Sequence, residues 1–233
     1  KVDPGDEMTG RLLTEPEGYE LLGRAGIRVP PHGVARNADD AARIAEDIGF
    51  PGVMKIVSPD IVHKSDAGGV VRGIHDSGEV RSALQEILSR VKEKAPGASI
   101  QGIIVEKELP SGLEILIGGK TDPTFGRVLT FGLGGTLVEI LRDVAIRLLP
   151  LGREEARAMV REIRGYRLIA GYRGEPPRDE EALVTLLVAA AAMFASEDIT
   201  EFDLTPVILY EKGACAVDAR MYRGGELPAC PRQ

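Results

Sequence analysis

The stretch Lys55-Ile56-Val57-Ser58-Pro59-Asp60-Ile61-Val62-His63-Lys64-Ser65-Asp66-Ala67-Gly68-Gly69-Val70 decides how the rest of the chain is read. Lys55 closes an apolar run that begins at Val53, so it is expected on a rigid strand with its ammonium facing a cleft. Pro59 stops that strand, because it has no amide hydrogen to give to a ladder. Gly68 and Gly69 allow backbone N–H groups to approach a polyphosphate where a Cβ would obstruct them. Between these markers lies His63, and a histidine imidazole can serve as a nucleophile or a proton carrier near neutral pH. Each residue alone has an ordinary reading, as a solvated lysine, a turn or a structural histidine. Their order within 16 residues is what points to phosphate handling.

Length and composition narrow the alternatives. A chain of 233 residues supports one large domain or two small ones with a substantial core. The net charge of −7, with no Lys/Arg block, gives no electrostatic footprint for nucleic acid. The longest apolar stretch, Ala182 to Ala195, falls short of the roughly 18 residues that a spanning helix needs. The amino-terminal residues lack the apolar core of a signal peptide. Cys215 and Cys230 make no disulfide framework, so a reducing cytoplasm is the expected setting.

Periodicity and punctuation set the organisation. Residues 1–10 are expected to be a disordered leader. Thr14 and Glu17 form a capping-box pattern for a helix over about 15–24 that ends at Gly26. A strand over 27–35 is broken by Pro30-Pro31. Asn37 then caps a helix carrying Ala38, Ala41, Ala42, Ala45 and Ile48 on one side. After the buried strand at 53–57 come an edge strand at 70–75 and a helix capped by Ser77, whose Val80, Ala83, Leu84, Ile87, Leu88 and Val91 share a face. Pro96-Gly97 marks the expected boundary, giving lobes over 11–97 and 98–223 and a tail over 224–233. The second lobe reads as strands at 101–108, 113–119 and 127–131 and helices at 154–164 and 179–194. A hairpin, 202–211 with 214–222, turns at Lys212-Gly213. This succession is α+β, and it contains neither a P-loop spacing nor a Rossmann glycine fingerprint.

Further segments point to a nucleotide. Glu106 to Leu109 ends a strand where backbone groups can read an adenine edge, and Glu114 one strand later can meet ribose hydroxyls. Gly132, Gly134 and Gly135 follow a β-type run and suit a backbone that approaches an anion closely. Glu139, Arg142 and Asp143 at helical spacing read as a salt-bridged surface face. Asp203, Thr205 and Asp218 form an oxygen-only set that suits Mg²⁺. No Cys/His cluster supports zinc.

Residues 51–70, Asp122-Pro123-Thr124-Phe125-Gly126, residues 131–135 and Val217-Asp218-Ala219-Arg220 together resemble the ATP-grasp subunit of ADP-forming acyl-CoA synthetases. The likeness runs from about Leu12 to Tyr222. It implies an ATP-grasp fold of two α+β lobes with MgATP or MgADP in the cleft between them. It also implies the reaction acyl-CoA + ADP + phosphate ⇌ acid + CoA + ATP through an acyl phosphate and a phosphohistidine. The implied partner is a CoA-binding alpha subunit with a second phosphorylated histidine, in an α2β2 assembly. By the same likeness His63 is the phosphate carrier, Lys55, Gly68 and Gly69 hold the phosphates, Glu106 and Leu109 read the adenine, and Asp218 binds Mg²⁺. The chain departs from the family at Thr205-Pro206, where Asn-Pro is usual. A carboxylate ligase that needs no histidine, or a nucleotide-sensing module without catalysis, are the alternatives.

Overall fold

A computed structural model describes residues 10–135 and 143–224. Through the first half run β1 (Arg11–Leu12), α1 (Glu15–Arg24), β2 (His32–Ala35), α2 (Ala38–Ile48), β3 (Gly52–Val57), β4 (Val70–Ile74), α3 (Ser77–Lys94) and β5 (Gly102–Lys107). The second half continues with β6 (Leu113–Asp122), β7 (Gly126–Leu133), β8 (Val144–Leu148), α4 (Arg153–Glu162), α5 (Tyr166–Ala170), α6 (Glu180–Ser196), β9 (Ile199–Leu209), β10 (Ala214–Ala216) and β11 (Arg220–Arg223). The elements fall into two compact units, each with its own sheet.

One unit comprises residues Thr14–Pro16 and Pro30–Pro110. Its four strands lie in the order β2-β5-β3-β4, every neighbouring pair antiparallel. Met54, Ile56, Ile103 and Val105 meet Ala41, Ala42 and Ala45 of α2 and Val80, Ala83, Ile87 and Val91 of α3 in one core. The helical spacing of those residues in the sequence is the face that packs. β3 is buried along its whole length, so the alternate residues Val53, Lys55 and Val57 are enclosed as well. A strand buried on both faces reads as a continuous apolar run, and Lys55 is the exception that needs charged partners.

Two helix starts illustrate how local chemistry sets the elements. Asn37 caps α2 as expected, its Oδ1 accepting from the Asp40 amide at 2.8 Å. At α3 the cap is Asp76 rather than Ser77: its carboxylate accepts from the Gly78 and Glu79 amides, while Ser77 Oγ donates to Glu46. Asp and Ser cap about equally well, and the Asp charge additionally complements the helix dipole.

The other unit takes the residues up to Leu13, Glu17–Val29 and those from Ser111 on. Its antiparallel sheet runs β1-β11-β9-β6-β7-β8, with β10 also pairing β9. Phe194 of α6 meets Phe202 of β9 edge to face, centroids 5.2 Å apart. Gly119 makes room for that ring, since a Cβ there would lie 2.2 Å from Phe202 Cε1. Asp179 caps α6 by accepting from Ala182 N at 2.9 Å and also accepts from Gly213 N at 2.8 Å. The Ala182 and Gly213 amides hold its carboxyl below the usual carboxylate range. At the sheet's end, β8 turns Val144, Ile146 and Leu148 outward, all exposed.

Several expectations shift. The boundary falls after Pro110, not at Pro96-Gly97, because β5 pairs with β2 and β3 in the first sheet. The strand expected over 27–35 begins only at His32, after the two prolines. The strand expected over 214–222 is two, β10 and β11, separated by residues 217–219. β1, β8 and α5 were not anticipated. Residues 1–9 of the expected leader, 225–233 of the expected tail, and Glu139 and Arg142 lie outside the described residues. The Asp143 carboxylate accepts from the Arg164 and Gly165 amides at 2.8 and 2.6 Å. Among the described residues, no helix is long and apolar enough to cross a membrane.

Candidate functional site

His63 stands exposed at the head of a compact turn that follows β3. The turn is held by its own backbone: His63 O accepts from Ala67 N at 3.2 Å, Ser65 O from Gly68 N at 3.0 Å and Lys64 O from Gly69 N at 2.7 Å. Gly69 O then accepts from Ile56 N at 2.7 Å and returns the chain to the sheet. The glycine pair has a packing reason for being glycine. A Cβ on Gly69 would lie 2.4 Å from Ile56 Cγ2, and Gly68 has φ +70° with Arg90 against it. Packing alone therefore accounts for this glycine pair, whatever it does with phosphate.

Beneath the turn lies a buried ion cluster. Lys55 is 4% exposed, and its Nζ lies 2.7 Å from both Glu15 Oε1 and Glu106 Oε1. Glu15 Oε2 lies 3.1 Å from Lys64 Nζ, the residue after His63. Burying these charges is tolerable only because they are paired. Glu15 and Lys64 were missed in the sequence. The available signal was a glutamate opening the helix directly after Thr14 and a second lysine beside the histidine.

Glu106 sits within β5, its backbone built into the ladder between β2 and β3. A backbone so placed is spent on its neighbours, and Leu109, beyond the strand, is half-buried. In the other unit Glu114 is exposed on β6 beside the glycine turn. Gly134 N donates to Glu114 O at 2.6 Å, and a Cβ on Gly135, at φ +70°, would lie 2.9 Å from Glu114 Oε2. The structure thus brings Glu114, Gly134 and Gly135 together as one group.

The oxygen-only set also gathers along one strand. Asp203 and Thr205 stand two residues apart on β9, with Thr205 Oγ1 donating to Asp203 Oδ1 at 2.5 Å. Arg220 lies opposite Asp203 and donates to its Oδ2 at 3.0 Å. Val217 N donates to Pro206 O at 3.0 Å, so Asp218 is held along the same strand between these two contacts. Hard oxygen donors fit Mg²⁺. Asp203 carries an arginine, and Asp218 Oδ1 accepts from Ala219 N at 2.9 Å. Among the described residues no three His, Cys, Asp or Glu side chains cluster as a preformed metal site.

A family model described as an ATP-grasp domain matches residues 6–222. Subunit beta of the ADP-forming acetate–CoA ligase I of Pyrococcus furiosus is 45% identical over 212 residues, covering 91% of each chain. The chain belongs to the ATP-grasp family shared by beta subunits of ADP-forming acetate–CoA ligases. This ATP-grasp chain is also 44% identical over 222 residues to the ADP-forming acetate–CoA ligase I of Archaeoglobus fulgidus, spanning 95% of its own length but 32% of that protein. Among solved structures, the dinucleotide forming acetyl-coenzyme A synthetase 1 of Ca. Korarchaeum cryptofilum, in complex with coenzyme A, Ca-AMPCP and HgCl⁺, superposes with a TM-score of 0.88 at 42% identity. That match covers 92% of the ATP-grasp chain and 94% of the other. The same synthetase with coenzyme A and Mg-AMPPCP, its phosphohistidine segment pointing towards the nucleotide binding site, gives 0.80 at 39% identity over 92% and 93%.

Proposed function

We propose that this chain is the nucleotide-binding beta subunit of an ADP-forming acyl-CoA synthetase and that His63 carries the phosphoryl group. The observation that carries the reading is an exposed histidine on a self-bonded turn, within a chain similar to a synthetase whose phosphohistidine segment points to nucleotide. In the ATP-forming direction the N–P bond of phosphohistidine breaks as ADP's terminal oxygen takes the phosphoryl group, and the imidazole is restored. The overall balance is acyl-CoA + ADP + phosphate ⇌ acid + CoA + ATP. Phosphoryl transfer depends on placement and charge more than on covalent help from the protein. A turn that keeps its internal hydrogen bonds can present His63 without refolding.

Gly134, Gly135 and Glu114 are the residues we assign to the nucleotide, with Leu109 at the base. Gly68 and Gly69 shape the carrier turn and lie close to its cargo. Lys55 is assigned to the framework beneath the turn rather than to the phosphates, because two carboxylates already occupy it. Asp218 and Thr205 would hold Mg²⁺, with Asp203 oriented by Arg220. When bound, the ion supplies positive charge at the phosphate oxygens. The partner that supplies the acyl phosphate is a CoA-binding alpha subunit with its own histidine, in an α2β2 assembly working in the cytoplasm.

The test is a half reaction. Incubated with γ-labelled ATP and Mg²⁺, the chain takes up acid-labile, base-stable label, and His63→Ala takes up none. Label on His63→Ala equal to the parent's would remove the carrier role. Acyl-CoA-dependent ATP formation without any labelled protein would favour the direct carboxylate ligase.

A further inference from the structure

We propose that Lys64 is a positioning residue: its ion pair with buried Glu15 latches the His63 turn in place, and breaking that pair lets the carrier depart. The inference rests on the carrier reading of His63 and adds what holds it.

The turn over residues 63–69 is internally bonded at three points, so it can shift as one piece. Ala67 packs against the core, Gly68 lies against Arg90, and polar contacts also tie the turn outward. Gly69 O is fixed to Ile56 N at the base, Asp66 O accepts from Lys94 Nζ at 3.0 Å, and Lys64 Nζ lies 3.1 Å from Glu15 Oε2. The first is a pivot at the end of the turn and the second is exposed. The third reaches a side chain that is itself 0% exposed.

The charges make this contact directional. Lys55 is shared between Glu15 and Glu106, so one buried ammonium faces two buried carboxylates. Lys64 supplies a second positive charge to that trio. Without it, Glu15 keeps only a shared partner in a place where an unbalanced charge is costly. Docking of the turn is therefore favoured by the framework underneath it.

The same geometry keeps the latch releasable. Glu15 Oε2 makes no aligned hydrogen bond among the described residues, so its hold on Lys64 is chiefly electrostatic. The Lys64 side chain keeps 16% of its surface in solvent and stands beside the histidine. Leaving the site gives the ammonium back to water. Lys55, in contrast, has no such route. A carrier that must leave and return needs a hold of this intermediate kind.

The experiment is amide hydrogen exchange on the full chain. Lys64→Met is expected to speed exchange over residues 63–69 by about tenfold while β3 and α3 keep their protection. Lys64→Arg, which restores the charge, should return the turn to within about twofold of the parent. Glu15→Gln keeps an oxygen for Lys55 yet removes the charge from Lys64, and should reproduce the turn-selective rise. No rise in either Lys64→Met or Glu15→Gln overturns the proposal. So does a rise that spreads equally through β3 and α3, or one that Lys64→Arg fails to correct. Labelling of the parent from γ-labelled ATP separately reads the carrier role, so an unlabelled parent with a turn-selective rise would sink that role and leave the latch standing.

Discussion

Replacing Lys55 with methionine tests whether the buried cluster is a framework. Methionine matches the length and fills the apolar passage, so the change removes charge with little loss of volume. At an effective dielectric near 20, each 2.7 Å contact from Nζ represents roughly 6 kcal/mol of gross attraction. Most of that offsets the desolvation of the three groups. What the substitution exposes is the remainder: Glu15 and Glu106 left facing each other in the interior, a cost of about 3–5 kcal/mol. For a chain of this size that lowers the melting temperature by about 10 °C. Thermal unfolding followed by circular dichroism reads the loss. The structure also specifies a rescue. In Lys55→Met/Glu106→Gln only Glu15 stays charged, and Lys64 already faces it. The double variant should therefore recover about half of the deficit. A Lys55→Met chain that melts with the parent, or a double variant worse than the single, would refute the arrangement.

Two shorter tests address single contacts. Asp179→Ala removes the cap of α6 and the acceptor for Gly213 N, and should cost about 1–2 kcal/mol in urea unfolding at pH 7. Because backbone amides depress the Asp179 carboxyl in the fold, its contribution is present above the unfolded value, near 3.8, and fades as pH falls through the folded one. Parent and variant should thus converge in strong acid, and a constant gap down to pH 2 would contradict the assignment. Gly69→Ala places a Cβ 2.4 Å from Ile56 Cγ2 and should cost about 1–3 kcal/mol through overpacking. An unchanged unfolding midpoint would show that the turn is not seated on β3.

The parts of the molecule governed by nearby residues were legible in the sequence. α2 was given by an asparagine cap and a helical alanine face, and both are found. β3 was given by an apolar run, and all six of its residues are buried. What escaped depends on distant partners. That Lys55 would be enclosed follows from Glu15 and Glu106, 40 and 51 positions away, and no local pattern announces them. The unit boundary was misplaced for a similar reason: β5 belongs to the first sheet by pairing, not by nearness to Pro96-Gly97. β8 was overlooked because its alternation runs the unusual way, with large apolar side chains outward and Ala145 inward. At the candidate site, the sequence offers Asp203, Thr205 and Asp218 as an oxygen-only set, whereas the arginine on Asp203 appears only once β9 and β11 are set side by side.

That outward alternation has a consequence at the bench. As the last described strand of its sheet, β8 offers a row of main-chain donors and acceptors flanked by Val144, Ile146 and Leu148. Such a rim is a template on which another extended segment can add itself, and Arg147 is the strand's one charged deterrent. Concentrated preparations of the chain by itself should therefore thicken by strand addition before they precipitate by unfolding. A single lysine in place of Ile146 would be enough to keep them clear.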